Sequence, residues 1–141
     1  MQGPLLLTLN GGRGRIENGA LVGTNPPSLC RLELWKKAAI SVKGRPDWLF
    51  IKLHCHSMDP THGSAILGNG MRSFLRELVR GAGERNEILH FTTAREMVNI
   101  ALAACDGREG NPGEFRDYRL KRTREVEVTE VAVNSESVAR T

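Results

Sequence analysis

The chain has 141 residues, 40% of them hydrophobic and 5% aromatic, with 20 Lys and Arg against 16 Asp and Glu and a net charge of +4. That length suits one domain able to bury roughly two-thirds of the surface its unfolded chain exposes, around a mostly aliphatic core. The longest apolar runs, Leu5-Leu6-Leu7 and Trp48-Leu49-Phe50-Ile51, fall far short of the roughly 20 residues a membrane-spanning helix needs, so no membrane partner is expected.

From the N-terminus, Leu5 to Leu9 reads as a strand, and the glycine-dense stretch from Asn10 to Arg15 as a flexible loop. That stretch is no phosphate loop, because the Gly-x-x-x-x-Gly-Lys-Ser/Thr order is missing and no helix follows at once. Ser28, just past Asn25-Pro26-Pro27, caps a helix in which Leu29, Leu32, Trp35 and Ala39 share a face, ending before Gly44-Arg45-Pro46. Asp47 to His54 is the strongest strand, its nearly continuous apolar run suiting burial on both faces as in a parallel sheet. A loop from Cys55 to Gly70 precedes an amphipathic helix on Met71, Phe74, Leu75, Leu78 and Val79, stopped by Gly81 and Gly83. A short strand, Ile88 to Phe91, leads to the capping box Thr93-Ala94-Arg95-Glu96 and a helix on Met97, Ile100, Ala101 and Ala104. This alternation of helix and strand predicts a parallel α/β sheet. Beyond Gly107 the chain grows charged, with Val126, Val128, Val131 and Val133 suited to one edge strand and the last eight residues expected to fray.

The net charge is mild, and Arg13, Arg15, Lys36, Lys37, Arg116, Arg119, Lys121, Arg122 and Arg124 are spread among acidic residues. Nucleic-acid binding needs a concentrated basic footprint, so no nucleic-acid partner is expected. Three scattered cysteines, Cys30, Cys55 and Cys105, fit a reduced compartment better than a disulfide framework. No secretory signal opens the chain, and the localisation expected by default is cytoplasmic.

Chemistry-bearing residues gather at the C-terminal end of the strand 47–54, where parallel α/β folds place their ligands. One reading is a metal site on His54, His56 and His62, with Asp59 or Cys55 as further ligands; three imidazoles can hold a zinc with an open fourth position. A second makes His54 a general acid or base. Ser57 lacks the Gly-x-Ser-x-Gly setting of a nucleophile. Glu17, Asn18 and Arg45, near loops, are candidates to bind a carbohydrate.

Several segments together resemble the C-terminal part of bacterial polysaccharide deacetylase-like proteins, in the glycoside hydrolase/deacetylase superfamily. They are Arg15 to Leu21, Gly44 to Trp48, Phe50 to His56, Leu67-Gly68 with Met71-Arg72, and His90 to Met97. The resemblance implies an α/β fold that is a partial (β/α) barrel, a C-terminal half with parallel strands and flanking helices over residues 1–120, followed by a polar tail at 121–141. It implies metal-dependent hydrolysis of acetamido groups on a polysaccharide, with a divalent metal such as zinc held by groups on early strands. It makes His54, in Leu53-His54, the counterpart of the general acid, with Glu17, Asn18, Arg45 and His56 as substrate-binding candidates. The early aspartates and the paired histidines of the family have no match here. The chain is therefore expected to be a fragment, truncated or split, that lacks the metal-binding front half and is inactive alone, pairing with an upstream chain or with itself through an exposed sheet edge.

Two alternatives stand beside this. Leu53-His54-Cys55-His56-Ser57 also looks like the opening motif of the polymerase and histidinol phosphatase domain, a metal-dependent phosphoesterase in which His54 and His56 would bind metal. The other is a noncatalytic interaction module.

Overall fold

The computed structural model describes residues 3–10, 12–56 and 60–121. The first element is an antiparallel hairpin of β1 (Leu5–Asn10) and β2 (Arg13–Asn18), in register from Leu5 opposite Asn18 through Leu7 opposite Ile16 to Asn10 opposite Arg13. The glycine-dense stretch expected as a flexible loop is thus mostly strand, closed by a tight turn in which Gly12 has φ +79°. Glycine holds that left-handed conformation without a steric penalty. Strand alternation puts Leu5, Leu7, Leu9 and Ile16 on one side of the hairpin and Leu6, Thr8, Arg15 and Glu17 on the other. Only the second side meets the core: Glu17 is buried, whereas Leu5, Leu7, Leu9 and Ile16 are 57–78% exposed.

Helix α1 (Leu29–Lys37) starts where its sequence says it should, the Ser28 hydroxyl accepting a hydrogen bond from the Arg31 amide at 3.3 Å. It ends earlier than periodicity suggested, because the chain turns at Ala39 with φ +48°. The expected loop from Cys55 to Gly70 contains a short helix, α2 (Pro60–Leu67), which runs into α3 (Asn69–Glu84). On α3, Phe74 and Leu78 are buried and Met71 packs beside them, while Leu75 and Val79 of the expected stripe face solvent. The capping box at α4 (Ala94–Cys105) forms as read: the Thr93 hydroxyl accepts from the Glu96 amide and the Glu96 carboxylate from the Thr93 amide. A 3-10 turn, Pro112–Phe115, follows.

The expected partial (β/α) barrel with parallel strands is not what forms. Among the described residues the only sheet is the two-stranded antiparallel hairpin, and the sole parallel pairing is one isolated bridge between Ala20 and His54. In it the His54 amide donates to the Gly19 carbonyl at 2.9 Å and the Leu21 amide donates to the His54 carbonyl at 2.8 Å. The segment read as the strand 47–54 is extended but carries no ladder, and Ile88 to Phe91 is irregular, with Ile88 85% exposed. The physical reason lies in what a continuous apolar run reports. It says that both faces are covered, not that sheet neighbours cover them.

Here helices do the covering. Trp48 and Phe50 point one way, into a cluster with Ile100 and Ala104 of α4. Ile51, Leu53 and Cys55 point the other way, against Leu21, Leu32, Trp35, Phe74 and Leu78. The segment therefore runs between two small cores and joins them. Close approach is part of this arrangement: a Cβ on Gly19 would stand 2.4 Å from the Lys52 carbonyl oxygen, so only glycine fits where the end of β2 meets the central segment.

Candidate functional site

His54 stands at the bridge to Ala20, its backbone engaged on both sides and its side chain exposed. Lys52 and His56 are exposed with it, while Cys55, between the two histidines, packs into the first core. His62 lies apart in sequence, on α2. Among the described residues no three His, Cys, Asp or Glu side chains gather as a metal-binding set, so the structure does not bring His54, His56 and His62 together as one. Ser57 and Asp59, also weighed as site residues, lie outside the described residues, as does the edge strand read at Val126 to Val133. The divalent metal that the resemblance implies thus finds no fitting ligand set among the described residues, and no chemistry is routed through it.

Glu17, a substrate-binding candidate from the sequence, is part of a buried anchor. Its side chain is 4% exposed and that of Arg31 is 7% exposed, with Arg31 Nε donating to Glu17 Oε1 at 2.8 Å. The rest of the guanidinium is spent on backbone. Nη1 donates to the carbonyls of Asn25 at 2.5 Å and Pro26 at 3.1 Å, and Nη2 to those of Asn18 at 3.0 Å and Ala20 at 2.8 Å. Trp35 Nε1 adds a bond to the same Glu17 oxygen at 3.0 Å, and the Arg31 guanidinium lies over the Trp35 ring at 4.9 Å. An arginine presents five N–H groups in a planar fork, and here each has an acceptor. The result pins the chain from 17 to 26 onto α1. Asn18 belongs to the same structure: its Oδ1 accepts from the Ala20 amide at 2.9 Å and its carbonyl serves Arg31 and Trp35.

Arg45 is likewise committed. It forks onto both carboxylate oxygens of Asp47 at 3.1 and 2.9 Å, donates to the Arg108 carbonyl at 3.0 Å, and stacks on Trp48 at 4.1 Å. The Arg45 guanidinium beside Asp47 holds that carboxyl below the usual carboxylate range.

A polar residue that sequence reasoning missed organises the other end. Asn99 on α4 is fully buried. Its Nδ2 donates to the carbonyls of Arg116 at 2.7 Å and Leu120 at 2.8 Å, and its Oδ1 accepts from the amides of Arg119 at 3.1 Å and Leu120 at 2.7 Å. One side chain thereby holds the segment after the 3-10 turn against the helix. The available signal was its place beside Ile100 and Ala103 on the buried stripe, where a polar residue needs a partner. Around this clamp, the Asp106 carboxylate accepts from the Tyr118 hydroxyl at 2.9 Å and from Arg119 at 2.7 Å, which keeps its pKa low.

A shallow groove of about 270 Å³ runs between the start of α1 and α3, lined in part by Leu29, Cys30, Phe74 and Glu77. None of the sequence-predicted site residues borders it.

No family model matches the chain, and neither the curated proteins nor the solved structures contain a match. The expectation of a hydrolase built on a barrel is corrected with the fold, since among the described residues a hairpin with helices provides no barrel end for such a site.

Proposed function

We propose that this chain is a noncatalytic interaction module, inactive alone. Its partner is the polypeptide that covers the outer face of the hairpin.

The observation that carries the reading is the outer hairpin face. Leu5, Leu7, Leu9 and Ile16 stand 57%, 70%, 78% and 63% exposed on one side of two strands whose edges are free of any further strand among the described residues. A two-stranded hairpin is marginal by itself, and contiguous exposed apolar surface marks a contact with another molecule. Among the described residues His54 belongs to no group of three His, Cys, Asp or Glu side chains that could hold a metal. An acetate-release assay on an N-acetylated oligosaccharide tests the reading. The isolated chain should release none above background, and turnover that disappears in His54→Ala would overturn it.

A further inference from the structure

Strand β2 has an open edge. It pairs with β1 on one side and with no strand on the other among the described residues, and every residue from Arg13 to Ile16 is exposed. The open stretch stops there, because Glu17 is buried and the Asn18 carbonyl is bonded to Arg31 and Trp35. Its two arginines are unspent. Arg31, Arg45, Arg95, Arg116 and Arg119 each hold a carboxylate, whereas Arg13 and Arg15 have no ion-pair partner among the described residues. Both lie on the inner side of the hairpin, with Gly14 and Ile16 on the outer.

The complement of this edge is in the sequence of the chain itself. Residues 125–139, outside the described residues, hold Glu125, Glu127, Glu130 and Glu136 and no Lys or Arg. Glu125-Val126-Glu127-Val128 alternates acidic with β-branched residues, so along an extended backbone its carboxylates share one side and its valines the other. Laid beside β2, that pattern sets two carboxylates against Arg13 and Arg15 and two valines against Gly14 and Ile16, while the unpaired amides and carbonyls of the edge gain partners.

We propose that residues 125–128 of a second copy of this chain add as a third strand on the edge of β2. Strand addition draws affinity from main-chain hydrogen bonds and selectivity from alternate side chains. A second copy is the donor because the tail departs from the core across the central segment from the hairpin. Leu120 is fixed to Asn99 on α4, α4 meets only the 3-10 turn among the named elements, and the hairpin meets only α1. The chain from Leu120 to Glu125 adds a reach of at most about 18 Å. Reciprocal exchange of tails closes a two-fold pair. The surface used is the edge of β2, not the outer face invoked above, so the inference goes beyond that reading.

Hydrogen exchange of the full chain, read by mass spectrometry on peptides covering 13–16 and 125–128, is the test. Wild type should show protection in both that rises with chain concentration. Arg13→Glu with Arg15→Glu, and separately Glu125→Lys with Glu127→Lys, should each speed exchange in both peptides by about tenfold or more, since the facing pairs become like-charged. An equimolar mixture of the two variants should return protection to within about threefold of wild type, because the edge of each then meets opposite charge on the tail of the other. The reversals leave Leu5, Leu7, Leu9 and Ile16 in place, and contact through the outer face does not protect 125–128, so the two readings fail separately. Protection absent from 125–128, independent of concentration, unchanged by either reversal, or lost in both variants and not restored on mixing would overturn the inference.

Discussion

Glu17 carries a charge into a site that is 4% exposed, and the burial is tolerated because Arg31 and Trp35 both donate to it. A buried ion pair of this kind adds little over a well-packed apolar pair, but removing one partner strands the other away from water. Arg31→Met should therefore cost about 3–5 kcal/mol in urea unfolding, since it leaves the buried Glu17 carboxylate without its cation, held only by Trp35, and removes the bonds to the carbonyls of Asn18, Ala20, Asn25 and Pro26. A loss below about 1 kcal/mol, the size of an exposed salt bridge, would show that the anchor is weaker than its geometry indicates. The sequence reading of Glu17, Asn18 and Arg45 as carbohydrate-binding candidates used their nearness to loops. Their long-range partners were not legible there: Glu17 meets an arginine on α1, and Arg45 meets the carbonyl of Arg108. Arg31 itself was reachable, standing one turn before Trp35 on the buried stripe of its helix, and Asn99 stands on such a stripe too.

Both ends of α4, and the turn before the central segment, carry carboxylates whose charged form the fold favours. The backbone amide of Thr93 holds the Glu96 carboxyl below its usual range, the Tyr118 hydroxyl does so for Asp106, and Arg45 for Asp47. A carboxyl with a lowered folded pKa contributes stability that is complete above its unfolded value, near 4, and that fades as pH falls through the folded value. Unfolding midpoints in urea should thus be flat from about pH 7 to pH 5 and drop below about pH 4, with a smaller drop in a Glu96→Gln, Asp106→Asn variant. A drop of the same size in that variant would assign the acid sensitivity elsewhere. Capping was legible in the sequence because Ser28 and the Thr93–Glu96 pair act on amides three residues away. Sheet pairing was not, because it joins distant segments. In the run from Trp48 to Ile51, Trp48 and Phe50 pack on α4 and Ile51 on α1 and α3 while Leu49 stays exposed, an arrangement that local pattern cannot distinguish from two neighbouring strands.

At the scale of the molecule, two small cores share one extended segment, and the hairpin packs on α1 by one face only. The inner face is tied down through Glu17, and the outer face offers Leu5, Leu7, Leu9 and Ile16 to whatever binds there. On the proposed reading another polypeptide covers this apolar surface, and without that partner it would meet a second copy of itself. The direct measurement is light scattering on the purified chain across a range of concentrations. Wild type should show a mass that rises above the 15.6 kDa monomer with concentration, and Leu7→Lys combined with Ile16→Lys should return it toward the monomer. A monodisperse wild-type monomer at every concentration, unchanged by the two substitutions, would contradict the account.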